Sequence, residues 1–128
     1  MKHLFLFSAI AGLILLGCGN PASDNIRAFI PGTYTKEIND EFTKGTDTLF
    51  ISVLDDQSGS YTIIRQISYR QSIDGKILSP RNDTHKMTAI YNEETKQLRD
   101  QNQGKLFSFS PDKNLLNTGG SEYRKIGK

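Results

Sequence analysis

From Phe29 onward this 128-residue chain places apolar residues at every second position, in short runs. Turn-forming residues interrupt the runs about every eight to twelve positions. Side chains alternate between the faces of a strand, so this period demands half-buried strands and leaves little room for helices. Residues 32–38 open the series, with Tyr34 and Ile38 on one face. A polar connection follows at 39–45. Residues 48–54 form the most hydrophobic strand, where Leu49, Ile51 and Val53 share a face. Residues 55–59 read as a turn. The long run 60–70 puts Tyr61, Ile63, Arg65, Ile67 and Tyr69 on one side, and Ile64 stands alone among polar residues on the other. One face of that strand is therefore expected to be wet.

Asp74-Gly75 is a two-residue hairpin signal between a strand ending near Ser72 and a short strand at 76–78. Residues 80–83 break the chain. Residues 86–91 bring Met87, Ala89 and Tyr91 together, and further short strands are expected at 97–101, 105–110, from Leu115, and at 122–126. Phe107 and Phe109 share one face, and Tyr123 opposes Arg124. No helix is expected in this part. The best candidate, 92–100, carries Glu93, Glu94 and Lys96 but too few apolar positions. A series of short antiparallel strands must hide its edges, and curling into a barrel does so. The expected fold is all-β, an antiparallel meander of about eight short strands forming a small lipocalin-like barrel. The first and last strands would meet. An open β-sandwich is the alternative.

The first seventeen residues have another character. Lys2 and His3 precede a run from Leu4 to Leu16 broken only by Ser8 and Gly12. As a helix that run would reach about 20 Å, short of the ~30 Å hydrocarbon core. Its end, Leu15-Leu16-Gly17-Cys18, resembles the lipobox of bacterial lipoproteins. A small residue before the cut fits a narrow protease site, and a cysteine thiolate can take a diacylglyceryl group. Residues 1–17 are thus expected to be a lipoprotein signal peptide. Cys18, the only cysteine, is the expected lipid attachment site, and with two or more acyl chains it would anchor stably. Residues 18–28 read as a lipidated, flexible tether with a reach of about 17 Å, and 29–128 as one β domain. Gly19 stands where an inner-membrane retention aspartate would be. The expected location is the bacterial envelope, at the outer membrane.

Little in the sequence points to catalysis. Loss of the leader removes only Lys2 among the charged residues and leaves a nearly balanced chain, so no basic field for nucleic acid is expected. His85 is the only histidine beyond the leader, too few for a zinc site with no second cysteine. It reads as an exposed loop residue. Asp55-Asp56-Gln57-Ser58-Gly59 begins like a calcium loop but lacks the later glutamate. Phosphate-loop and nucleophile-elbow spacings are missing. No catalytic residue, cofactor or metal is expected. The face worth attention joins Tyr61, Arg65 and Tyr69, with Tyr34 and Tyr91 extending an aromatic wall. If it points inward, Arg65 needs either a cross-strand carboxylate or an anionic ligand.

The ordered series Gly32-Thr33-Tyr34-Thr35, Asp47-Thr48-Leu49, Ser58-Gly59-Ser60-Tyr61, Asp74-Gly75-Lys76, Lys86 to Tyr91, Phe109-Ser110-Pro111 and Tyr123-Arg124-Lys125-Ile126 resembles small lipoproteins encoded on bacterial conjugative transposons. The resemblance implies a mobile-element product on a Gram-negative envelope and brings no activity with it. The expected function is a non-enzymatic, membrane-anchored lipoprotein that binds a protein partner or assists conjugation machinery. The alternative is a barrel lipoprotein carrying a small ligand, with Tyr34, Tyr61, Arg65, Tyr69 and Tyr91 around it.

Overall fold

A computed structural model describes residues 21–127. The leader and Cys18 lie outside the described residues. One helix, α1 (Pro21–Phe29), precedes nine strands: β1 (Gly32–Asn39), β2 (Thr43–Asp55), β3 (Ser60–Ile73), β4 (Lys76–Ile77), β5 (Arg81–Asn92), β6 (Gln97–Asp100), β7 (Leu106–Ser110), β8 (Leu115–Thr118) and β9 (Ser121–Gly127). The sheet runs β2-β1-β9-β8-β7-β6-β5-β3, and β2 pairs with β3 to close it. The result is an antiparallel eight-stranded barrel, with β4 as an extra strand on β3. The first and last strands do meet, Tyr34 opposite Lys125.

The inward set is the alternating set of the sequence. Leu49, Ile63, Ala89, Leu98, Phe107 and Leu116 are all buried, while Ile64, on the opposite face of β3, is exposed. Asp74 and Gly75 both take positive φ, 51° and 79°, the backbone of a tight two-residue hairpin. Residues 92–100 form a turn and β6, not a helix.

Three expectations need correction. The segment 18–28 is not a flexible tether throughout: from Pro21 it is helical, and the folded unit begins there rather than at Phe29. Ile26 and Phe29 pack against the core beside fully buried Ile30, a spacing of three and four that gives a short helix one apolar side. So few apolar residues leave no visible period, and Phe29 reads from sequence as the start of the β domain. Second, β2 begins at Thr43 and β5 at Arg81, inside segments expected as connections. There both faces of the sheet are wet, which erases the apolar alternation. Third, His85 lies within β5 and not in a loop.

The helix plugs one end of the barrel. Its last carbonyls are satisfied from the sheet: the Tyr34 hydroxyl donates to Phe29 O at 2.8 Å and to Ile30 O at 2.9 Å, and Lys125 Nζ donates to Phe29 O. A cation there also suits the negative pole of the helix. Phe29, Tyr34 and Phe109 meet edge to face, at centroid distances of 5.8 to 6.3 Å. Arg27 reaches the turns on either side, 3.5 Å from Asp56 and 3.4 Å from Glu93.

The other end is open and asymmetric. β1 pairs with β9 only over Thr33–Thr35, and β5 with β6 only over Ala89–Asn92. Beyond those points β1, β2, β3 and β5 continue as a four-stranded ribbon above the rim. With 14 residues, β3 runs about 45 Å from the plugged end to the Asp74-Gly75 tip.

Candidate functional site at the barrel mouth

Where the ring gives way to the ribbon, three polar side chains converge. Asp47 of β2 lies diagonally across from Arg65 of β3, since their in-register partners are Ile67 and Leu49. Arg65 Nε donates to Asp47 Oδ1 at 3.1 Å and Nη2 to Oδ2 at 2.7 Å. From the far wall, the Tyr123 hydroxyl donates to the same Oδ2 at 2.8 Å. The Asp47 side chain is 2% exposed and that of Arg65 30%. Lys36 Nζ stands 5.6 Å from the centre of the Tyr123 ring and donates to Ser121 Oγ at 2.9 Å.

The ionisation of this cluster follows from its contacts. Burial works most strongly, to raise the Asp47 carboxyl, but the hydrogen bonds from Arg65 and Tyr123 together with the charges of Arg65 and Lys36 outweigh it and hold the group below the usual carboxylate range. Tyr123 is pushed up, first by burial and then by the bond to Asp47. The Arg65 guanidinium is raised chiefly by its bond to Asp47. The sequence demanded a countercharge for Arg65, and a carboxylate of the same chain supplies it.

Beside Arg65 opens a recess of about 310 Å3, lined also by His85, Lys86, Met87, Asp100, Asn102, Gln103 and Lys105. It lies between β5 and the β6–β7 turn. Asp100 is buried, and its carboxylate accepts from the amides of Asn102 at 3.1 Å and Gln103 at 3.2 Å. Both mouth carboxylates are thus spent on internal bonds. With Arg65 matched by Asp47, the lining keeps an excess of positive charge, Lys86 and Lys105 against Asp100. Among the described residues no group of three or more His, Cys, Asp or Glu side chains could hold a metal ion.

The residues expected to form one face are spread along the barrel. Tyr34, Tyr61 and Tyr91 are buried at 0, 2 and 7% exposure in the plugged half. Tyr34 holds the helix, and Tyr91 lies under Arg27 at 5.6 Å, its Oη lacking a hydrogen-bond partner among the described residues. Arg65 is at the mouth. Tyr69 stands above it on the ribbon, its hydroxyl 3.4 Å from Asp83 Oδ2. The tyrosines therefore fill the lower interior and leave the mouth as the accessible recess. The sequence reading missed Asp47 as the partner of Arg65, along with Lys36 and Lys105. Asp47 had a signal: it precedes Leu49 and Ile51 in the same alternation, so it points inward too.

Comparison of the chain with family models, with curated proteins and with solved structures finds no match. The functional argument therefore rests on the chain's own geometry.

Proposed function

We propose that the protein is a non-enzymatic, lipid-anchored barrel of the bacterial envelope that presents its open end to a protein partner. The observation that carries this reading is the opposition of the two ends. Only Gly19 and Asn20 lie between Cys18 and Pro21, at most about 11 Å of chain over three Cα steps, and α1 packs at the plugged end. A lipid on Cys18 would hold that end near the bilayer, so the ribbon and mouth would stand away from it. At the ribbon's far end Phe42 and Ile77, 62 and 72% exposed, line one hollow, and clustered apolar exposure is what partner surfaces display. The resemblance to conjugative-transposon lipoproteins supports a conjugation assembly as the source of the partner.

A non-enzymatic reading suits the mouth chemistry. Asp47 and Asp100 are both engaged as acceptors, and the one imidazole of the recess, His85, has no carboxylate bonded to it among the described residues to orient it as a base. The second reading, a carrier of a small anion, draws on the recess beside Arg65. The tyrosine-filled interior confines such a ligand to the rim, and native mass spectrometry of the purified protein would reveal it as a retained mass.

The address is tested by Cys18→Ser in the native host. Incorporation of radiolabelled palmitate should vanish, and the protein should leave the membrane fraction. Undiminished labelling would refute the anchor, and with it the orientation argument.

A further inference from the structure

Above the ring β5 has β3 on one side and an open edge on the other. Its ladder with β6 covers only Ala89–Asn92, extended by the Gln101 amide donating to Thr88 O at 2.9 Å. Since the Thr88 carbonyl faces away from β3, antiparallel alternation turns the N–H and C=O of Asn82, Thr84 and Lys86 the same way. No strand among the described residues covers that edge. From Arg81 to Met87 it offers roughly 20 Å of strand backbone. Unpaired edges template further strands and are usually short or blunted; here only Lys86 of the three outward-bonding residues is charged.

The recess at the mouth runs along this same edge, bounded opposite by the β6–β7 turn. A strand laid there would drop alternate side chains beside His85, Lys105 and Arg65. Arg65 is matched by Asp47, and Lys86 and Lys105 outnumber the one carboxylate of the lining, Asp100, so the groove keeps an excess of positive charge. Asp83, higher on β5, lies against the Tyr69 hydroxyl. We propose that the β5 edge takes an extended acidic segment of a partner protein as an added strand. Main-chain bonds to Asn82, Thr84 and Lys86 supply the register, and the cationic groove selects acidic side chains. A second copy of this chain would bring another cationic groove to the first and is the poorer fit. The inference deepens the protein-partner reading and rests on it.

The test follows amide hydrogen exchange in the full-length protein, solubilised in detergent, with a short acetylated peptide of alternating glutamate and valine. The lysine–valine counterpart is the control. At about 1 mM glutamate–valine peptide, exchange at Asn82, Thr84 and Lys86 should slow by at least about tenfold, and the control should leave it unchanged. Thr84→Pro removes an edge donor that β3 does not use, a place where strands tolerate proline, and should abolish the protection. Lys105→Glu, outside the edge, should weaken the peptide at least about fivefold, and it serves if the proline variant fails to fold. No protection, equal protection by the lysine peptide, or peptide-free protection that grows with protein concentration would each overturn the proposal. A photo-crosslinker at residue 84 and another at residue 42, placed in cells, separate the two readings. A partner captured only from residue 42 overturns the edge and leaves the partner reading standing; capture from neither overturns both.

Discussion

Replacing Asp47 with Asn tests the mouth network most directly. The substitution keeps the volume and removes the charge that Arg65 and Tyr123 share. Breaking a fully buried ion pair costs about 3–5 kcal/mol because the surviving charge is stranded. Arg65, at 30% exposure, can recover part of its hydration. The amide can still accept from Tyr123, so the expected loss is about 2–3 kcal/mol at pH 7. For a domain of this size each kcal/mol moves Tm by about 4–8 °C. Urea unfolding of the wild type, D47N, Y123F and the double variant would give both the loss and the coupling, expected at about 1–2 kcal/mol. The pH dependence has a definite sign. Asp47 is depressed in the folded state, so its contribution is present above the unfolded carboxylate value. It is lost as pH falls below about 4, through the lower folded value. The gap between wild type and D47N should therefore narrow in acid. A gap under about 0.5 kcal/mol at pH 7, or one that widens on acidification, would refute the assignment of Asp47 as the buried partner of Arg65.

Two further expectations concern packing. Gly45 faces Tyr69 across β2 and β3, and an added Cβ would sit 2.0 Å from Ser68 O and 2.6 Å from Tyr69 Cα. Those are backbone atoms, so Gly45→Ala should cost about 1–3 kcal/mol, read by thermal unfolding. Tyr91 Oη has no partner, so Tyr91→Phe should be neutral or stabilising by up to about 1 kcal/mol; a clear destabilisation would mean that the hydroxyl is hydrogen-bonded.

The strands of the closed ring were legible because each has one dry and one wet face, and Leu49-Ile51 or Phe107-Phe109 announces which is which. The ribbon was only half legible. At 43–46 and 81–86 water reaches both faces, and polar residues such as Asn82 and Thr84 carry no period. Helix α1 escaped notice for a different reason: its stability comes from the barrel end it covers, through Tyr34 and Lys125, which lie on other elements. The mouth shows the same division. That Arg65 needs a countercharge is a property of one residue in a buried alternation. That Asp47 and Tyr123 provide it depends on the register of β2 against β3 and on the far wall brought round by closure.

That closure joins the first strand made to the last, β1 to β9, with Tyr34 opposite Lys125. Every other neighbour in the ring is a hairpin partner or close to one, and can zip locally. The seam alone spans nearly the whole domain in sequence, and loop closure over such a distance is slow. Until β9 arrives, the helix lacks the lysine that binds its final carbonyl and Asp47 lacks its tyrosine. A nascent chain consequently keeps its ring unclosed until the final strand emerges, and only then can the plug's lysine contact and the Asp47–Tyr123 bond form.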